Sequence, residues 1–200
     1  IPDDQAFAPR ASRHSSQLFI TIASLVAAFA ALVRVRNQAS VDAAMGSVAF
    51  DGAGVLLQGS ILVIALLSVF LIADQENFTA LAAAVPGSSE ERESLQRDLR
   101  VTEVYPLTLF AVAGMLLFPL SSDLITLFVA LEMLSLPLYL MAGLSRRRRL
   151  MSQESALKYF LLGAFSSAFF LFGVAYLYGY SASITFAGIQ SSVIGGSGND

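Results

Sequence analysis

The 200-residue sequence has no cysteine and a single histidine. Disulfides, iron–sulfur clusters and thiolate metal sites therefore have no ligands, and one histidine cannot build a metal cluster alone. Charge is scarce as well. Asp, Glu, Lys and Arg together make up 14%, little more than half of the roughly 25% usual in soluble domains. The net charge of −3 and a pI of about 5.1 speak against a nucleic-acid-binding surface. No Walker loop, dinucleotide fingerprint or nucleophile triad is present. What the chain does have is apolar residues, at 56%, with a mean hydropathy of +0.68. Disorder is excluded, because a disordered chain is poor in apolar residues. The expectation is an integral membrane protein surrounded by lipid bilayer.

A helix crossing about 30 Å of hydrocarbon needs roughly 20 mainly apolar residues. Five segments meet this: Gln17–Val35, Val55–Ala73, Tyr105–Pro119, Leu124–Leu144 and Ser155–Gly179. The fold class expected is all-α, a polytopic transmembrane helix bundle. The third span is short, and Pro119 suits a helix end or kink better than a helix middle. Leu120 to Asp123 join it to the fourth span in a tight hairpin, with Asp123 or Ser122 placed to cap the new helix. The connectors are residues 1–16, 36–54, 74–104, 145–154 and 180–200. Within the longest, Pro86-Gly87-Ser88-Ser89 precedes a charge-dense stretch, Glu90–Arg100. That stretch reads either as a solvated loop or as a short surface helix with Glu93 and Arg97 at i,i+4 spacing.

Arginine and lysine in short loops stay on the cytoplasmic side. Arg10, Arg13, Arg92, Arg97, Arg100 and Arg146 through Arg149 fall on one set of alternating connectors, and only Arg36 and Arg34 on the other. The N-terminal segment, residues 74–104 and residues 145–154 are therefore expected in the cytoplasm, with 36–54 and 180–200 outside. The Arg146–Arg149 run is first a topology determinant, with an anionic-lipid or partner contact as a further option. The first residue is Ile1, no signal peptide precedes the first span, and the last residues form a Gly-rich loop. The expectation is a fragment of a longer chain.

Ionisable residues inside a span are costly and are functional candidates by default. Once span-end residues that can snorkel are set aside, Glu132 remains. It follows Asp123 by nine residues, about 13–14 Å along a helix and close to the bilayer centre. A carboxylate poised between desolvation and a nearby cation can load and release a proton near neutral pH. Ser135 and Tyr139 lie on the same side as Glu132, and Pro137 removes the N–H that would bond the Met133 carbonyl, loosening the helix one turn away. The alternative is a protonated glutamate that hydrogen-bonds a neighbouring helix for packing alone.

Lys158 is the second candidate. It is one turn into the fifth span, and it is the one lysine among 12 basic residues. Lysine can lose its proton on desolvation, whereas arginine effectively cannot. Gly163, Ser166, Ser167 and Gly173 read as small residues for close helix packing. Phe160, Phe165, Phe169, Phe170 and Phe172 read as lipid-facing or core filler.

Two stretches carry a resemblance. DLITLFVALEMLSLPLYLMAG over Asp123–Gly143 and SQESALKYFLLGAFSSAFFLFGVAYLYG over Ser152–Gly179 closely resemble subunit N of the proton-pumping NADH–quinone oxidoreductases, respiratory complex I. The specific match runs over about Glu103–Ile189, while the first hundred residues agree only in topology. The resemblance implies an antiporter-like fold of about fourteen helices built from inverted five-helix repeats with broken helices, of which these spans would be the second to sixth. It places Glu132 on the family's essential mid-membrane glutamate and Lys158 on a recurring lysine of the next helix, with further lysines beyond Asp200. The charged stretch Pro86–Arg100 departs from the family pattern.

The function expected from this resemblance is that of a proton-translocating, non-redox membrane subunit of a redox-driven pump in a bacterial inner membrane. Glu132 and Lys158 would relay the proton, with Ser135, Pro137 and Tyr139 in support. Its partners would be the other membrane subunits of the complex, and no nucleic acid. No cofactor or metal is expected in this chain; NAD, FMN, iron–sulfur clusters and quinone would belong to other subunits. A subunit of a multisubunit cation/proton antiporter or of a membrane-bound hydrogenase keeps the fold and changes the coupling. A membrane anchor or sensor without transport is the reading from another class.

Overall fold

A computed structural model describes residues 13–36, 41–73, 88–89, 103–144 and 149–196. The expected surface helix with Glu93 and Arg97, and Arg146 to Arg148, lie outside the described residues.

Each apolar run becomes a helix, because a backbone in hydrocarbon must satisfy its N–H and C=O groups internally. The helices are α1 (Arg13–Val35), α2 (Gly52–Ala73), α3 (Val104–Leu117), α4 (Leu124–Leu144), α5 (Arg149–Ser181) and α6 (Phe186–Gly196). Four of them, α1, α2, α4 and α5, are long and apolar enough to cross a membrane, and α3 is a shorter apolar helix. With mostly lipid-facing surface, large apolar side chains such as Phe19, Leu56, Phe70 and Leu162 stand exposed. In a soluble protein such a surface would be an aggregation hazard. The chain is a multi-pass membrane protein with a polytopic helical fold.

Several boundaries differ from the sequence expectation for identifiable reasons. The third span, expected to run to Pro119, stops at Leu117, and Phe118–Leu120 forms a single 3₁₀ turn around the proline, which lacks the N–H to continue an α-helix. α5, expected over 155–179, extends past both ends to 33 residues, since neither flank holds a proline. Residues 36–54 hold more than a loop: β1 (Val41–Ala43) pairs antiparallel with β2 (Val48–Phe50), Val41 opposite Phe50. Their connection takes Ala44, Met45 and Gly46 through positive φ, a tight reversal in which only glycine is unstrained. Residues 180–200 contain α6. Ala182 at φ +50 breaks the chain from α5, and the Thr185 hydroxyl accepts from the Gly188 N–H to start the new helix.

Two packing units result. α1, α2 and α3 enclose a buried cluster of Leu25, Leu62, Ala65, Val69 and Val112. Within this unit Gln58 donates from its amide to the Leu116 carbonyl at 3.0 Å, satisfying a polar group at the end of α3. α3, α4 and α5 make the other unit through the α3–α4 and α4–α5 interfaces. At one end of the bundle the β-hairpin, residues 121–124 and residues 184–186 are stitched together by backbone bonds: Ser122 N–H to Ser47 O, Leu124 N–H to Ile184 O and Phe186 N–H to Ser122 O. At the opposite end the Tyr105 hydroxyl and His14 Nε2 are 2.8 Å apart, and the Ser152 hydroxyl donates to the Ala142 carbonyl.

Candidate functional site

The site grows from the antiparallel α4–α5 pair. Each step back along α4 is matched by a step forward along α5, so Gly143 lies against Ala156, Tyr139 against Phe160, Glu132 against Ser167 and Phe128 against Phe170. Glu132 is half-buried on α4, and its Oε1 accepts a hydrogen bond from the Ser167 hydroxyl of α5. That closes one lone-pair site of a carboxyl group that hydrocarbon cannot solvate.

Sequence reasoning gave Ser167 a packing role only. The register carried the missing signal. Counting equal steps outward from the centre of the 145–154 connector brings Ser167 opposite Glu132.

The supporting residues are placed as follows. Pro137 is fully buried and leaves the Met133 carbonyl without its helical donor. At that turn α3 comes close. A Cβ on Gly114 would lie 2.5 Å from the Leu134 nitrogen and 2.8 Å from the Met133 carbonyl carbon, so only glycine permits this backbone approach. The crossing lies one residue from Glu132 along α4. Ser135 is half-buried on the same helix. Tyr139 reaches across to α5, where its hydroxyl occupies the space beside Gly163 that a Cβ would fill. Its ring meets Tyr159 and Phe160 edge-on, with centroids 4.7 and 5.8 Å away.

Lys158 does not join Glu132. Its Nζ donates to Glu154 Oε1 at 2.5 Å on the outer face of α5, and the two side chains are 73% and 62% exposed. From Lys158 to Ser167 is nine residues, about 13–14 Å along α5. The aromatic layer of Tyr139, Tyr159 and Phe160 lies between. Of the small residues, Gly163 and Ser167 touch α4, whereas a side chain on Gly173 would meet nothing within 4 Å.

Asp123, just before α4, is a more deeply buried acid, 3% exposed. Its Oδ1 accepts from the Thr126 N–H at 2.7 Å and its Oδ2 from the Thr126 hydroxyl at 2.8 Å, a helix cap. Burial alone pushes this carboxyl up. The donors from Thr126, Ser47 and Ile125 outweigh burial and hold it below the usual carboxylate value. Among the described residues no group of three or more His, Cys, Asp or Glu is placed to hold a metal ion.

The family described as "NADH:quinone oxidoreductase/Mrp antiporter, TM" matches residues 121–199, which include α4, α5 and the Glu132–Ser167 contact. The NADH-quinone oxidoreductase subunit N of Acidothermus cellulolyticus is 50% identical, over 94% of this chain and 37% of its own length. The NADH-quinone oxidoreductase subunit N 3 of Streptomyces griseus is 47% identical, over 96% of this chain and 37% of its own. The chain belongs to the NADH–quinone oxidoreductase subunit N family. It spans about 37% of the length of these relatives. A chain of the respiratory complex I from Thermus thermophilus with bound aureothin matches 90% of it, at 30% identity and a TM-score of 0.64, covering 38% of that chain. The polytopic helical fold is thus antiporter-like. The subunit N resemblance of α4 and α5 also extends to the first hundred residues, where the sequence led us to expect agreement in topology only.

Proposed function

We propose that the protein moves protons across a bacterial inner membrane as the non-redox subunit N of an NADH:quinone oxidoreductase. Glu132 is the group that binds and releases the proton. The observation that carries this reading is a carboxyl group placed mid-way along a membrane-spanning helix, joined to Ser167 of the next helix and set beside the proline break at Pro137. An acid in that position exchanges a proton at far lower cost than it carries a bare charge.

The end bearing His14, Tyr105 and Ser152 faces the cytoplasm, by the arginine distribution. On that side Lys158 and Glu154 form an exposed pair that takes up the proton. With about 13–14 Å to cover, the lysine acts through water or intervening hydroxyls and not by contact. Tyr139 is suited to this, since its hydroxyl lies beside Gly163, one turn of α5 from Ser167. Ser135 adds a hydroxyl to the α4 face. NADH oxidation and quinone reduction, with their NAD, FMN, iron–sulfur and quinone groups, take place in other subunits. The neighbouring membrane subunits are this chain's partners.

The test is Glu132→Gln in the full-length subunit within the assembled, liposome-reconstituted complex. Loss of NADH-driven proton uptake into the vesicles is expected. Unchanged pumping and turnover would sink the relay and favour a membrane anchor. The description of the matched family also names Mrp antiporters. Pumping that required neither NADH nor quinone would favour that reading.

A further inference from the structure

The Glu132 site lies between two aromatic layers of different chemistry. On the cytoplasmic side the layer contains hydroxyls, those of Tyr139 and Tyr159, with Phe160. On the hairpin side it is the pair Phe128 and Phe170, with centroids 5.9 Å apart and planes within 19° of parallel. Phe128 is one turn from Glu132 on α4, and Phe170 is one turn from Ser167 on α5, so the stack covers the Glu132–Ser167 contact about 5–6 Å further out. Beyond the stack the molecule turns polar again. The Asp123 carboxylate, Thr126 and Ser47 are there, and so are Ser183 and Thr185.

A benzene ring has no lone pair or acidic hydrogen with which to pass a proton. A layer of two stacked rings in hydrocarbon also excludes the water that would do so. We propose that the Phe128–Phe170 stack is the outer seal of the proton site. It separates Glu132 from the polar mesh at the hairpin end, so that the acid exchanges protons with the tyrosine side until the helices move. The seal rests on Glu132 being the proton site and adds the element that gives that site a direction.

The test uses the full-length subunit in the assembled complex reconstituted into liposomes. Passive proton flux is followed without NADH as the decay of an imposed pH gradient, and protons pumped per NADH are followed separately. Phe128→Ala is expected to speed the passive decay and to lower the pumped ratio, while NADH oxidation is not slowed. Phe170→Val, which keeps an apolar side chain and makes a smaller hole, is expected to do the same to a lesser degree. Phe128→Leu, which restores bulk without a ring, is expected to recover most of the seal. In the double variant Phe128→Ala/Glu132→Gln the added leak is expected to disappear, because its proton carrier is gone.

Wild-type passive decay in both Phe128→Ala and Phe170→Val overturns the proposal. So does a leak that persists in the double variant. The relay reading fails by a different result, pumping that survives Glu132→Gln alone.

Discussion

At the residue scale the chemistry comes down to one acid and its donor. Serine is the smallest side chain that can reach Glu132 from α5 with a hydroxyl, and under the proposed relay its bond is to a group that changes charge. Hydrogen bonds to charged groups contribute about 1.5–3 kcal/mol. Ser167→Ala is therefore expected to slow NADH-driven pumping by roughly ten- to a hundredfold, with Ser167→Thr, which keeps the hydroxyl, close to wild type. Pumping rates of the two variants in reconstituted complex decide it, and equal loss in both would mean that Ser167 serves packing alone. Glu132 was legible in the sequence because hydrocarbon makes any mid-span charge conspicuous. Ser167 was not, because a serine in a span is equally at home as a small packing residue. Lys158 stands out by composition. Its pairing with Glu154 does not, because i,i+4 spacing alone does not say whether a lysine reaches inward or along its own helix.

At the scale of the elements, α4 carries the proposed proton site. Its proline removes the N–H that would bond the Met133 carbonyl, and α3 crosses closely at that turn on Gly114. Gly114→Ala puts a Cβ 2.5 Å from the Leu134 nitrogen, and that obstacle is backbone, which cannot rotate away. Overpacking of this kind costs about 1–3 kcal/mol. Thermal stability of the assembled complex is expected to fall accordingly, and proton pumping with it, because the displaced helix carries Glu132. Unchanged thermal stability would show that α3 and α4 can separate freely at this crossing. Proline at the end of α3 was readable as a terminator, since its missing N–H is a local property. The length of α5 was not. Hydropathy marks where lipid ends, whereas a helix continues through water wherever no breaker stops it.

At the scale of the whole molecule, the mesh at the hairpin end ties together segments far apart in sequence, and Asp123 is at its centre. It caps α4 and also accepts from Ser47, beside the β-hairpin. Asp123→Ala is expected to cost about 1 kcal/mol of stability, typical of a lost cap. The pH dependence has a definite sign. A carboxyl held low in the folded state stabilises it at all pH values above its unfolded value and loses that contribution as pH falls through the folded one. The thermal-stability gap between wild type and Asp123→Ala is therefore expected to be flat above about pH 4 and to shrink below it. A gap that widened on acidification would contradict the assigned hydrogen bonds.

The sequence alone determined the membrane solvent, the helical class, the apolar runs and the one acid at mid-depth. These follow from hydrocarbon's intolerance of unpaired backbone and of charge, which acts on every residue wherever its neighbours are. Register and close approach belonged to the tertiary structure: Ser167 against Glu132, Gly114 against Met133, Phe128 against Phe170, and the hairpin against the turn at Asp123. A contact between two helices depends on their relative rotation and offset, which interhelical packing sets and no single helix's pattern contains. The sparse charge with which the sequence first declared itself thus located the candidate proton site, while packing decided what surrounds it.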